Sequence, residues 1–330
     1  MFGILANSWG KIVTHTDFDG MVSAAICSFS LGINHLVFAG PTAIGQNMIP
    51  VSDRDVVCDL PYPLQCGLWF DHHPGNLEDL QLRGYDPGQV PGRFDLKDSC
   101  GRVVLDYFST KTELPSYFET TVCHADTIDA FRYRDIEDWR RETPGKVVDC
   151  ALKLAGPGRS GDPLRKRLVF LLRDNPLEVV AANPEVRHQY EAYQEREEKM
   201  IAIIQEASSF LQDDKDHEFI TLDLTRYKRR PSVLKNLAFL LHPSSKAVIE
   251  IRSLYRQGVK TNNFGISVSL SPNMDSAMVR QDLGEIMRRL NIGDGHKGAA
   301  GGTLSCRSKD EMIRKKQEIL DKILLLWRTA

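Results

Sequence analysis

Short apolar runs alternating with helix-patterned stretches predict an α/β protein. An N-terminal, mainly parallel sheet with flanking helices should be followed by a connector helix and a smaller mixed-sheet α/β domain. Three observations carry this. The 330 residues exceed the size at which one core usually keeps growing, so two domains are expected. The strand candidates of the first half are too short and too unalternated for surface strands, which suits buried parallel ones. A long helix-period segment starting at Asn183-Pro184 then separates them from a second group of strands. The pattern divides the chain into residues 1–183, a connector over 184–211 and a C-terminal domain over 212–330.

In order, residues 11–15 read as a strand ending in a polar turn, and 21–31 as a helix rich in Ala, Ser and Cys. Residues 36–39, 56–60 and 68–70 are further strands; 101–108 and 147–154 are helical, and the chain stays mostly helical to about 182. Asn183 is a preferred N-cap and Pro184 suits the first helical position. From Val186 to Phe210 the apolar positions keep helical spacing, until a polar cluster at 212–218 ends them. Strands follow at 219–224, 247–252 and 264–270, with 259–261 as a hairpin partner of the last across Asn262-Asn263. The final helix opens on a capping box, Ser308-x-x-Glu311, and carries Met312, Ile319, Ile323, Leu324 and Trp327 on one face as core.

Lys and Arg total 42 against 44 Asp and Glu, a formal charge of −2, which argues against a protein that coats long nucleic acid through a basic excess. The balance is uneven: residues 1–211 carry −9 and residues 212–330 carry +7. An acidic half suits divalent cations, and a basic half suits phosphates. No apolar run reaches the roughly 18 residues of a membrane span, and the first eight residues carry no basic residue or cleavage-like site, so no signal peptide is expected. The seven cysteines never form a Cys-x-x-Cys pair and read as reduced, mostly buried thiols of a cytoplasmic protein.

Carboxylates and histidines concentrate in four segments, placed by this reading at strand ends: His15-Thr16-Asp17-Phe18-Asp19-Gly20, Asp59, Asp71-His72-His73, and Asp126 in His124-Ala125-Asp126-Thr127. In an open parallel sheet, functional groups gather at the carboxyl ends of strands. Asp and His without Cys suit Mn²⁺, with Mg²⁺ as the alternative, rather than structural zinc. Two such ions need a bridging carboxylate and separate ligands on each side; together they activate water and clamp a phosphoryl oxygen.

In their order, these segments resemble the four motifs of the DHH phosphoesterase superfamily, with the first motif nearest the RecJ-like and small oligoribonuclease branches. Ser99-Cys100-Gly101 with the following apolar helix resembles the helix before the family's fourth motif. The resemblance implies that His15, Asp17 and Asp59 hold one Mn²⁺. It implies that Asp19, Asp59, His72 and Asp126 hold the other, with Asp59 as the bridge. Asp71 would orient the histidines, and His73 would sit near the scissile phosphate.

The densest small-residue stretch is Gly293-Asp294-Gly295-His296-Lys297-Gly298-Ala299-Ala300-Gly301-Gly302. Small residues let backbone amides approach an anion, and His296 and Lys297 add side-chain donors. It resembles the glycine-rich, histidine-bearing loop of the DHH-associated C-terminal domain, so Gly293, Gly295, His296, Lys297, Ala299, Ala300 and Gly301 are the implied substrate contacts. Asp294 stands where the family has glycine, and the family's arginine-serine pair is replaced by Val268-Ser269-Leu270-Ser271; Arg252 is the candidate substitute cation. The expected activity is Mn²⁺-dependent hydrolysis of short single-stranded RNA or DNA oligonucleotides, linear dinucleotides or 3′-phosphoadenosine 5′-phosphate to nucleoside monophosphates. The alternatives are phosphoanhydride hydrolysis of pyrophosphate or polyphosphate, and nucleotide sensing without catalysis. A homodimer is compatible with the sequence. The run Arg226-Tyr227-Lys228-Arg229-Arg230 interleaves an aromatic with cations, as a nucleic-acid surface does, but reads at least as well as a solvated loop.

Overall fold

A computed structural model describes residues 9–329 apart from 157, 230 and 275–278. The chain divides into two compact units, residues 1–132 with 142–193, and residues 133–141 with 194–330. The division falls inside the long helix rather than at either of its ends.

The first unit is built on β1 (Ile12–Thr14), α1 (Phe18–Leu31), β2 (Leu36–Phe38), α2 (Pro41–Gly45), β3 (Val56–Cys58), β4 (Leu68–Asp71), α3 (Pro74–Leu82) and β5 (Gly92–Phe94). Then come α4 (Cys100–Ser109) and α5 (Tyr117–Asp129). Helix α6 (Ile136–Arg140) belongs to the second unit, and α7 (Pro144–Lys153), α8 (Asp162–Asp174) and α9 (Leu177–Ala181) to the first. The sheet order is β2-β1-β3-β4-β5, parallel throughout. Because β2 and β3 lie on opposite sides of β1, the strand order reverses there, and the crevice above such a switch is where open sheets place ligands. Helix α1 is buried along Phe18–Ser28, which explains why its Ala-, Ser- and Cys-rich sequence has no polar face. Asp17 caps it by accepting from Gly20 N at 3.0 Å, and Gly32 ends it at φ 71°. Strand β5 is the one sheet member the pattern did not foretell: its three residues are half-buried and follow a proline.

Helix α10 (Pro184–Ala207) ends four residues before the expected 211, where the two-residue strand β6 (Ser208–Ser209) begins. The second unit continues through β7 (Phe219–Asp223), α11 (Ala238–Leu241), β8 (Ala247–Arg256), β9 (Val259–Leu270), α12 (Leu283–Arg289), β10 (Gly293–His296), β11 (Ala299–Leu304) and α13 (Lys309–Thr329). Its mixed sheet has the order β10-β11-β9-β8-β7-β6, with β7 and β8 parallel. The expected stripe on α13 is buried, and Trp327 meets Phe219 edge-on at 5.1 Å. Glu311 N donates to Ser308 Oγ at 3.1 Å, the first half of the expected capping box; the Glu311 carboxylate accepts from Arg307 N.

Two local expectations need correction. The hairpin leading into β9 turns at Gln257-Gly258, both at positive φ as a tight two-residue turn requires, while Asn262 and Asn263 lie within a continuous strand. The glycine-rich stretch, read as a loop, is a β-hairpin, β10 and β11 turning at Lys297-Gly298. Its glycines permit backbone contact: a Cβ on Gly293 would lie 1.9 Å from Gly301 O, and one on Gly284 of α12 would lie 2.2 Å from Gly295 O.

Candidate metal centre

Three strand ends and two helices of the first unit supply the acidic cluster. His15 and Asp17 follow β1, Asp19 lies in the first turn of α1, Asp59 follows β3, and Asp71 closes β4 ahead of His72 and His73. His15 Nδ1 lies 2.6 Å from Asp17 Oδ2 and 3.5 Å from Asp59 Oδ2. On the other side, His72 Nε2 lies 3.8 Å from both Asp59 Oδ1 and Asp19 Oδ2, and 3.4 Å from Asp129 Oδ2. One oxygen of Asp59 therefore addresses each group.

Asp59 sits at φ 58°, a left-handed conformation that Asp tolerates better than most residues, with its amide bonded to Phe70 O at 2.9 Å. A conformation this sparsely populated persists only where the surrounding structure holds it. Both Asp59 carboxylate oxygens and His72 Nε2 are buried without a hydrogen-bond partner. Buried polar groups are normally paired, and two such atoms, Asp59 Oδ1 and His72 Nε2, facing each other at 3.8 Å are what a shared cation would satisfy. Donors about 2.1 Å from one ion lie about 3–3.5 Å apart, close to the gaps seen here. Candidate three-residue groups are His15, Asp17 and Asp59; Asp19, His72 and Asp129; and Asp59, His72 and His73.

The surrounding chain fixes these side chains. Lys97 O accepts from His72 Nδ1 at 3.0 Å, so the ring carries its proton there and presents an Nε2 lone pair inward. Asp71 is fully buried: its Oδ1 accepts from His73 Nδ1 and His72 N, both at 2.9 Å, and its Oδ2 from Asn76 Nδ2 at 2.7 Å. It thus positions both histidines. Asp19 accepts from Cys100 N at 2.7 Å and Gly101 N at 2.8 Å, at the positive end of α4, so Ser99-Cys100-Gly101 holds this carboxylate in the cluster.

Burial first, then the charges of Asp19 and Asp17, pushes the Asp59 carboxyl well above its ordinary value. Burial with Asp129 and Asp17 does the same to Asp19. Asp129 is raised by burial, with His72 opposing. Burial would lower His15, but the Asp17 carboxylate overcomes it and raises the imidazole. Asp17 is lowered against its own burial by His15 and the Gly20 amide. His73 is raised by Asp71, again against burial. Carboxylates crowded in this way repel one another until a cation joins them.

Asp126 does not join the cluster. It lies in the last turn of α5, not at a strand end, where Ser99 Oγ donates to Oδ1 at 2.6 Å and Arg102 grips Oδ2 through Nε at 3.0 Å and Nη2 at 2.7 Å. Asp129, one turn further along, takes the place beside His72. Sequence reasoning missed it because Asp126 and Asp129 share the same helix three residues apart, and only the helix's rotation distinguishes them.

Gly293, Gly295, His296, Lys297, Ala299, Ala300 and Gly301 lie together in the β10–β11 hairpin of the second unit. Asp294 is bonded there by Arg288 Nη1 at 2.6 Å, which neutralises the charge that departs from the family pattern. Arg252, on β8, lies 3.4 Å from Glu250 Oε1 and pairs in register with Gly265.

Comparison with solved structures gives the fold its class. A pGpG-specific phosphodiesterase from Vibrio cholerae, PggH, matches over 94% of this chain and 98% of its own, with 21% identity and a TM-score of 0.68. The DHH domain of a protein described as a member of a ribosomal-protein family matches over 97% of this chain and 86% of its own, with 13% identity and a TM-score of 0.61. RecJ from Thermus thermophilus in complex with Mn²⁺ matches over 97% of this chain but 52% of its own, with 14% identity and a TM-score of 0.56. No family model and no curated protein sequence matches the chain. The fold is that of the DHH phosphoesterases. Among the described residues, no helix is long and apolar enough to cross a membrane.

Proposed function

We propose that this chain is a divalent-metal-dependent phosphodiesterase that cleaves short oligonucleotides or linear dinucleotides to nucleoside monophosphates. The observation that carries the reading is Asp59: a buried carboxylate with both oxygens unpaired, one towards His15 and the other towards His72. His15, Asp17 and Asp59 would hold one Mn²⁺, and Asp19, Asp59, His72 and Asp129 the second, with Mg²⁺ as the alternative ion. Bound ions of this kind supply Lewis acidity at a phosphoryl oxygen and lower the pKa of water.

The protein's own groups then divide the remaining work. The Lys97 carbonyl and Asp71 hold the two imidazoles in fixed tautomers. With Nδ1 committed to Asp71, the half-exposed His73 in its protonated, imidazolium form has the Nε2 proton left to donate to the departing oxygen, reverting to the Nδ1–H tautomer. In the second unit, Gly293, Gly295, His296, Lys297, Ala299, Ala300 and Gly301, with Arg252, are the proposed substrate contacts. The similarity to a phosphodiesterase specific for pGpG makes a linear dinucleotide the first substrate to try. Seven free cysteines, five of them buried, favour a reducing compartment such as the cytoplasm.

The test is hydrolysis with Mn²⁺ across ribonucleotides of about two to twenty-four residues, with phosphoadenosine phosphate and pyrophosphate alongside. Nucleoside monophosphate released from the shortest chains is the expected result. Phosphate released from pyrophosphate alone would assign phosphoanhydride hydrolysis instead, and binding without cleavage would leave a sensor.

A further inference from the structure

The basic run that begins at Arg226 does not stand alone in space. The turn between β8 and β9 packs against it: Lys260 Nζ donates to Tyr227 O at 2.9 Å and to Thr225 O, and Tyr255 OH donates to Lys228 O at 3.2 Å. Two segments some thirty residues apart therefore form one surface of exposed Lys228, Arg229, Tyr255, Arg256 and Lys260 around the half-buried Tyr227. Arg230 lies outside the described residues.

The charges on this surface are mostly unneutralised. Arg226 pairs with Glu206 at 3.1 Å. Lys228, Arg229 and Arg256 have no ion-pair partner among the described residues, and Lys260 is held by carbonyls, which leave its charge intact. Four net positive charges thus stand together in a chain whose total is −2. Two tyrosine rings lie among them, with the Arg226 guanidinium 5.2 Å from the Tyr227 ring centre and the Tyr255 hydroxyl anchored to the backbone. A track of cations suits phosphates, whereas held aromatic rings suit bases free to stack. That combination fits single-stranded nucleic acid better than a duplex or a bare polyanion.

We propose that this surface anchors single-stranded nucleic acid, separately from the residues assigned to hydrolysis. The proposal does not depend on the hydrolytic reading, since anchoring needs neither metal nor cleavage.

The test is fluorescence anisotropy of the full chain with a labelled 12-nucleotide oligo(dT) in EDTA, from 50 to 200 mM KCl. At about 0.7 per phosphate contact, four cations predict a log–log salt slope near −3. The variant Lys228→Gln/Arg229→Gln/Arg256→Gln should reduce this to about −1. Tyr255→Ala should weaken binding about fivefold or more, with Tyr255→Phe retaining most of it. Unchanged affinity and slope in the triple variant would overturn the proposal. So would a duplex 12-mer, or phosphatidylserine vesicles, binding as tightly and without dependence on Tyr255. Hydrolysis of a linear dinucleotide, run in parallel, should be equal in wild type and triple variant. If neither hydrolyses it, the hydrolytic reading fails while the anisotropy result still decides this one.

Discussion

Replacing Asp59 with asparagine keeps the side chain's size and removes its charge, at a left-handed backbone position that Asn tolerates equally. In the metal-free protein both Asp59 oxygens are buried and unpaired, and burial with Asp19 and Asp17 disfavours the ionised form. The folded pKa therefore lies above the reference value of 3.8, so the penalty is absent below about pH 3.8, grows as pH rises and is complete above the raised value. Asp59→Asn should then stabilise the metal-free protein at pH 8 by about 1–2 kcal/mol, as relief of a strained functional site does. At about 2–4 °C per kcal/mol this is about 2–8 °C in melting temperature. The gain should vanish near pH 4. Mn²⁺ at about 100 times its Kd should stabilise wild type by about 2.7 kcal/mol and the variant by far less. Thermal melts in EDTA and in Mn²⁺, at both pH values, check this. A variant that melts below wild type in EDTA at pH 8, or keeps the full Mn²⁺ shift, refutes the reasoning.

Asp129→Asn should weaken Mn²⁺ binding about tenfold or more by calorimetry. Asp126→Asn should leave it close to wild type while loosening the Arg102 pair; equal losses would refute the placement of the two residues. Asp71→Asn removes the group that raises His73, so the protonated form should be lost at lower pH and the alkaline limb of the rate profile should move to lower pH. Gly293→Ala places a Cβ against Gly301 O and should destabilise the second unit by about 1–3 kcal/mol in denaturant melts, with Mn²⁺ binding intact.

Strands β1, β3 and β4 of the first unit were legible because each is an apolar run ending in a carboxylate or a histidine turn. Their convergence followed from the switch point between β1 and β3. Two kinds of feature were not. Asp129 was hidden by helix phase, since a motif centred on Asp126 does not say which turn of α5 meets His72. The glycine-rich stretch was read for anion binding, whereas Gly293 and Gly295 are also required by backbone-to-backbone packing within β10–β11 and against α12. A sequence shows that small residues are needed but not which neighbour needs them. The β8–β9 turn falls between these cases: Gln257-Gly258 carried the signal, but the adjacent Asn262-Asn263 pair has the stronger turn composition. The basic surface around Tyr255 depends on which loop meets which hairpin, and no local pattern encodes that.

The most direct test of the central claim is release of guanosine monophosphate from linear pGpG by the full chain, in Mn²⁺ and in EDTA, for wild type and Asp59→Asn. Release by wild type in Mn²⁺ only, and none above background from the variant, is the expected result. Undiminished release by Asp59→Asn, or by wild type in EDTA, would contradict it.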